Sequence, residues 1–354
     1  MTFISEDSDR NRLPVALLSG FLGSGKTTLL NALLRDPKLA DTAVAINEFG
    51  EVPLDQHLID HGDDKTVVMA NGCLCCNLAG DMEDALMRIF TRRGNGELPS
   101  FARLVVEPSG LADPAPIAQA ILRNPLMSRV LRLDTTLVTV DSLFGLRQIA
   151  EHEEVRKQIA LADRILLTKT DVAETPVIAA LEAELAHLNP NAPILHVQNG
   201  NVDPSLLFAG QFLDTLRGPS AIPEWIEQYN RQAPSGTATD RHVGHEHDEG
   251  IKATSIVCAE PLDWRAFETW LRTIRLSFSD DLLRLKGIVN RGDSARPLVV
   301  HGIHHVLHMP VELDHWPSDD RRSRLVFITR GRDAEIRNSW GRARPAIMLP
   351  AQRN

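Results

Sequence analysis

The chain has 354 residues, 43% hydrophobic and 24% charged, with 38 Lys+Arg against 47 Asp+Glu and a formal net charge of −9. The length suits about two domains, and the ordinary mixture excludes a disordered or fibrous chain. The acidic balance makes a phosphate backbone a poor partner, which excludes nucleic acid as a general ligand. No run approaches the ~20 apolar residues that span a bilayer, and the polar opening MTFISEDSDRNR lacks the apolar stretch of a signal peptide. A cytoplasmic protein with no membrane partner is expected.

In chain order, apolar β-branched runs alternate with helical patterns, as in a parallel α/β sheet. Strands are predicted at Val15–Ser19, Thr42–Ile46, Thr66–Met69, Leu104–Glu107, Thr136–Val140, Arg164–Leu167 and Ile194–Val197. Helices are predicted at Lys26–Arg35, Asp81–Arg92, Pro114–Leu122, Val155–Ala162 and Pro176–Leu188. Residues 1–215 therefore read as a doubly wound, mostly parallel α/β domain. Residues 216–250 are rich in Pro, Gly and polar residues and read as a linker. Its His242, His245 and His247 suit either metal capture or a solvated loop. Residues 251–354 predict a smaller α+β domain. Its strands are Thr254–Ala259, Leu283–Val289, Leu298–Val300 with Val306–Val311, and Leu325–Thr329; its helices are Trp264–Ile274 and Asp333–Trp340. Read as one strand, the run from His301 to His308 puts His301 and His305 on one face and His304 and His308 on the other, so the four cannot share one ion.

Gly20-Phe21-Leu22-Gly23-Ser24-Gly25-Lys26-Thr27, followed by Thr28, fits G-x-x-x-x-G-K-[ST] between a strand and a helix. Its glycines let backbone N–H groups turn toward a phosphate, and the helix N-terminus adds partial positive charge. Lys26 can reach the β- and γ-phosphates, and the Thr27 hydroxyl can ligate Mg²⁺. Glu107, in Glu107-Pro108-Ser109-Gly110, ends an apolar strand. An acid there suits Mg²⁺ held through water, or a positioned nucleophilic water, and Gly110 lets backbone approach the γ-phosphate.

Thr168-Lys169-Thr170-Asp171 follows a later strand. A carboxylate such as Asp171 can accept from guanine N1–H and the exocyclic amine together; adenine offers no such pair. The Lys169 stem can cover one face of the base. A helix N-cap is the competing use of Asp171.

Three of the four cysteines, Cys73, Cys75 and Cys76, sit within four residues. They form no disulfide framework, and neighbouring Cys75 and Cys76 cannot close an unstrained bridge. Three thiolates can converge on one ion, Zn²⁺ before Cu(I) or Co²⁺, leaving a fourth position open or filled from elsewhere. Buried or redox-active thiols are the alternative. Cys258 lies alone in an apolar strand and reads as core. The acidic segment Asn47–Asp55 follows the phosphate-loop helix and a strand, so Glu48 or Asp55 can touch Mg²⁺ or complete the thiolate site.

The segments GFLGSGKTT, NEFGEVPLD, NGCLCC, EPSG and TKTD, in that order, closely resemble the CobW-like family of P-loop GTPases, relatives of those that mature urease and hydrogenase. The resemblance covers nearly the whole chain and is less specific in the C-terminal part. It implies GTP hydrolysis coupled to delivery of a transition metal, commonly zinc, to client metalloproteins. It makes Lys26 and Thr27 phosphate and Mg²⁺ ligands, Glu107 the ExxG acid, Lys169 and Asp171 the guanine readers, and Cys73, Cys75 and Cys76 the metal site. Pro53 stands where the family's acidic loop often has Gly, and Thr168 where many GTPases use Asn, which predicts one weakened hydrogen bond but leaves the guanine contact by Asp171 intact.

The expected mechanism is a metal-linked GTP switch. Loops at the carboxyl ends of the strands would sense nucleotide and metal together, and a tenfold mutual effect needs only ~1.4 kcal/mol. No arginine finger is evident, so slow intrinsic turnover, about 10⁻² s⁻¹ or below, is expected until a partner or metal completes the site. The alternatives are a nucleotide-regulated metal buffer, an ATP-dependent kinase or ligase on the same loop, and cobalt handling in cobalamin synthesis or activation of a metal-containing hydratase. Self-association is compatible with all of them.

Overall fold

The computed structural model describes residues 4–5, 11–46, 66–68, 78–98, 100–208 and 250–349. The strands are β1 (Ile4–Ser5), β2 (Leu13–Gly20), β3 (Thr42–Ile46), β4 (Thr66–Val68), β5 (Arg103–Glu107), β6 (Leu131–Asp141), β7 (Arg164–Thr168), β8 (Ile194–Val197), β9 (Ile251–Cys258), β10 (Leu282–Val289), β11 (Leu298–Ile303), β12 (Val306–Leu307), β13 (Val311–Glu312) and β14 (Ser323–Arg330). The α-helices are α1 (Lys26–Leu34), α2 (Leu78–Gly94), α3 (Ala115–Arg123), α4 (Met127–Val130), α5 (Gly145–Glu151), α6 (Glu153–Leu161), α7 (Thr175–Leu188), α8 (Pro204–Phe208), α9 (Trp264–Ser277) and α10 (Asp333–Ile347). The chain divides into two units, Arg10–Leu185 with Ala192–Gln211, and Met1–Asp9 with Ala186–Asn191 and Phe212–Asn354.

The first unit holds a seven-stranded sheet in the order β4-β3-β5-β2-β6-β7-β8. Every pairing in it is parallel. Such strands are covered on both faces and read as continuous apolar runs; Val15, Ala16, Leu17 and Leu18 in β2 are fully buried. The Leu29, Leu30 and Leu33 face of α1 packs into a core with Ala16, Leu18, Val105, Leu137 and Leu166. The chain leaves β2 between β5 and β6, so the strand order turns there and a crevice opens beyond the carboxyl ends of the strands.

The second unit is a sheet in the order β1-β13-β11-β10-β14-β9, with β12 on β11. All its pairings are antiparallel except β1 with β13. Ile4–Ser5 thus belongs to this sheet, not to the parallel one, although the opening of the chain reads as part of the α/β region. On one face α9 and α10 bring Phe267, Trp270, Leu271, Ile274, Ile336 and Trp340 onto Leu285, Val289, Leu325 and Phe327. Trp270 meets Trp340 edge-on at 5.0 Å, and its indole N–H donates to Ser339 Oγ at 3.0 Å. Asp263 caps α9 by accepting from Ala266 N at 3.0 Å.

The histidine run of this unit corrects the single-strand reading. The chain reverses at His304, whose φ is 49°, and His305, so that β11 and β12 form a hairpin. His308 N donates to His301 O at 3.0 Å and the two rings lie 3.3 Å apart. The hairpin replaces the period-2 assignment of faces, which holds only on an unbroken strand. Among the described residues no group of three or more His, Cys, Asp or Glu is gathered for a metal ion, and no helix is long and apolar enough to cross a membrane.

Candidate nucleotide site

The carboxyl ends of the central strands set the site. Gly20 pairs with Thr139, Asp141 with Thr168, and Glu107 with Ile46. Residues far apart in sequence therefore end in one row.

Gly20 opens the phosphate loop with φ 142°. A Cβ there would overlap the Thr139 hydroxyl and lie 2.6 Å from the Thr139 carbonyl oxygen and 2.8 Å from Ser24 Oγ. Only glycine lets β2 approach β6 so closely. Ser24 Oγ shares a 2.6 Å hydrogen bond with Thr139 Oγ1, which also donates to Ser19 O at 3.3 Å. Gly23 and Gly25 have φ of 73° and 92°, and Gly25 forms the left-handed N-cap of α1. Lys26 is buried, with its Nζ donating to Gly20 O at 2.9 Å and Phe21 O at 3.1 Å. The lysine is thus folded over the mouth of its own loop, on carbonyls that a phosphate oxygen would replace. Thr27 is half-buried in the first turn of α1, and Thr28 is exposed.

Glu107 is 6% exposed at the end of β5, so it is not the solvated acid that a strand terminus usually carries. Gly110 lies against the phosphate loop: a Cβ there would come 3.0 Å from both Lys26 Nζ and Leu22 N.

Thr168 is buried at the end of β7. Its hydroxyl donates to Ser24 O at 2.8 Å and Val140 O at 3.2 Å. The threonine that departs from the usual Asn therefore ties the Thr168–Asp171 segment to the phosphate loop. Lys169, at φ 57°, donates to Gly23 O at 2.9 Å and to Asp141 Oδ2 at 2.6 Å. Asp171 is exposed.

Two contributors carry no motif. Asp141, 2% exposed, holds Lys169 and accepts from Leu143 N at 2.8 Å. Its only sequence signal is an acid ending an apolar strand. Gln158, 1% exposed on α6, has no sequence signal at all.

Gly20, Gly23, Ser24, Gly25, Glu107, Gly110, Thr168, Lys169 and Asp171 all belong to this row of strand ends or the loops leaving it, and Lys26, Thr27 and Thr28 form the first turn of α1. Cys73, Cys75, Cys76, Glu48, Asp55 and the linker histidines lie outside the described residues. Their neighbours in sequence are described: β4 ends at Val68, which pairs with Ile46, which pairs with Glu107. In sequence, the acidic segment follows Ile46 and the cysteines follow Val68.

The oxygen donors of this edge, the Thr27 hydroxyl and the Glu107 carboxylate, are of the hard kind that Mg²⁺ takes. A buried lysine satisfied by carbonyls at a helix N-terminus is a cradle for phosphate.

Comparison with known proteins agrees with this geometry. A family model described as CobW/HypB/UreG, nucleotide-binding domain, matches residues 14–196. One described as Cobalamin synthesis protein cobW C-terminal domain matches residues 251–344. The zinc chaperone YjiA of Escherichia coli is 31% identical over 319 residues, covering 90% of this chain and 94% of that protein. The zinc-regulated GTPase metalloprotein activator 1 of Dictyostelium discoideum is 28% identical over 282 residues, 68% of this chain and 55% of that protein. The crystal structure of Zn(II)-bound YjiA GTPase from E. coli superposes with a TM-score of 0.66 at 28% identity, covering 94% of this chain and 99% of that one.

Proposed function

This chain belongs to the CobW/HypB/UreG family of P-loop GTPases, and from that premise we propose that it couples GTP hydrolysis to the handling of zinc, held at Cys73, Cys75 and Cys76 and passed to a client metalloprotein. The names of its relatives, a zinc chaperone and a zinc-regulated GTPase, support zinc as the cargo. Three thiolates leave one of zinc's four positions to Glu48, Asp55 or a client, which suits an ion that must leave again.

The row Val68–Ile46–Glu107 carries the reading. The cysteine segment follows one end of that row, the acidic segment its middle, and the ExxG turn its other end. A change at Glu107 therefore has a route through hydrogen-bonded strand ends to Val68, which precedes the thiolates in sequence.

In hydrolysis, Lys26 exchanges the carbonyls of Gly20 and Phe21 for phosphate oxygens and stabilises charge developing on them. Ser24 and Thr139 keep the loop open around that charge. Glu107 positions the attacking water, or would hold Mg²⁺ through a water. Lys169 lays its stem along the base while its head stays on Asp141 and Gly23, and Asp171 accepts from the guanine edge. Thr27 and, through water, Glu107 would hold Mg²⁺, which would supply charge neutralisation at the β- and γ-phosphates.

Phosphate release from GTP and from ATP, with and without Zn²⁺, tests the assignment on the wild type and on a triple Cys→Ser variant at Cys73, Cys75 and Cys76. GTP turnover that responds to zinc in the wild type and not in the variant is expected. Turnover absent under every metal, or equal with ATP, defeats it.

A further inference from the structure

One helix braces both sides of the phosphate site. At its N-cap, the His152 ring stacks on Phe21 of the phosphate loop, with centroids 4.6 Å apart and planes at 29°. Two turns later Gln158, 1% exposed, sends Nε2 to Gly110 O at 3.1 Å and Ala112 O at 3.1 Å. Those carbonyls belong to a tight turn that Ala112 N closes on Ser109 O at 2.9 Å. On its other side the turn meets Lys26 and Leu22 through Gly110, where even a methyl group would crowd them.

The orientation of the amide is settled by chemistry. Turned over, it would point an acceptor at two carbonyl oxygens. As it stands, Oε1 is buried with no hydrogen-bond partner among the described residues. Packing alone would be served better by an apolar side chain of the same length, which leaves no orphan acceptor. The amide is therefore explained by the two carbonyls it holds.

We propose that Gln158 is a positioning residue for GTP hydrolysis, which holds the Ser109–Ala112 turn against Lys26 so that the turn meets the terminal phosphate without reorganising. This rests on the reading of the site as a GTP site. The γ-phosphate is what distinguishes GTP from GDP, and the turn after Glu107 is the segment assigned to sense it. Loss of the amide therefore acts on the triphosphate and spares the diphosphate.

The test is nucleotide titration and single-turnover hydrolysis on the full chain, comparing Gln158→Met with Gln158→Lys. Met keeps length and removes both donors; Lys keeps N–H donors on an unbranched stem. For Met, GTPγS affinity and kcat fall about tenfold while GDP affinity stays within about twofold, the loss of two hydrogen bonds felt in one liganded state only. For Lys, the preference for GTPγS over GDP returns toward wild type. A purely packing role gives the opposite order, with Met tolerated and Lys impaired. Equal weakening of GDP and GTPγS in Met, or an unchanged ratio with unchanged kcat, overturns the proposal. Should Met not fold, a folded Lys variant that has lost the preference overturns it equally, and one that keeps it supports it. A wild type that fails to prefer GTPγS over ATPγS defeats the underlying GTP assignment instead, and the two failures are told apart by that control.

Discussion

Lys169 and Asp141 form an ion pair of 2.6 Å between the Thr168–Asp171 segment and the end of β6. Asp141 is almost fully enclosed, whereas Lys169 is 37% exposed, so water screens part of the attraction. The lysine also donates to Gly23 O, so the pair ties the Thr168–Asp171 segment to the phosphate loop. Asp141→Ala is expected to weaken GDP and GTPγS alike, by about tenfold, or ~1.4 kcal/mol, well short of the 3–5 kcal/mol for breaking a fully buried pair. Isothermal titration with both nucleotides checks this; unchanged affinity removes Asp141 from the site.

Asp171→Asn replaces a double acceptor by a group that donates on one side. Guanine then faces a donor with its own N–H, while xanthine, which has a carbonyl in place of the exocyclic amine, gains a match. GTP affinity is expected to fall by about 100-fold or more, and XTP to bind better than GTP. Competition between the two nucleotides decides it, and a variant that still prefers GTP contradicts the role of Asp171.

Gly20→Ala drives a methyl group into Thr139 and Ser24. The backbone of β2 or β6 must shift, at an expected cost of about 1–3 kcal/mol in stability. Because Lys26 rests on the Gly20 carbonyl, nucleotide binding is lost as well. Thermal melting with and without GDP reads both effects. A stable variant that is still stabilised by GDP refutes the close-approach argument.

Cys258 is 3% exposed, and burial, reinforced by the Glu260 carboxylate, pushes its thiol up to about 11. At pH 8 it should resist iodoacetamide in the folded protein, with alkylation confined to Cys73, Cys75 and Cys76; mass mapping of the adducts checks it. The sign for stability follows. Below about pH 8.5 the thiol is neutral in folded and unfolded chains alike, and its contribution is constant. Between there and pH 11 the unfolded chain loses the proton while the folded one keeps it, so stability falls as pH rises. Cys258→Ala should remove that part of the slope.

The parallel strands were legible because burial on both faces leaves uninterrupted apolar runs such as Leu104-Val105-Val106, and the phosphate loop because its spacing is set by backbone geometry. Other features had no local signal. Ile4–Ser5 is too short to show a period. The hairpin at His304 and His305 turns without Gly, Asn or Pro, the residues that announce turns. Asp141 and Gln158 act through partners 28 and 48 residues away, and such contacts exist only once the fold does. The hydroxyl of Thr168 reaches Ser24 O, 144 residues away, and that contact too has no local signal.

The central claim is that nucleotide and zinc act on one row of strand ends. Zinc competition titration of the wild type with saturating GTPγS and with saturating GDP tests it most directly. The account predicts zinc held at least about tenfold more tightly with GTPγS, and GTPγS held more tightly by the same factor when zinc is bound, since coupling is reciprocal. Equal zinc affinity in the two nucleotide states would contradict it.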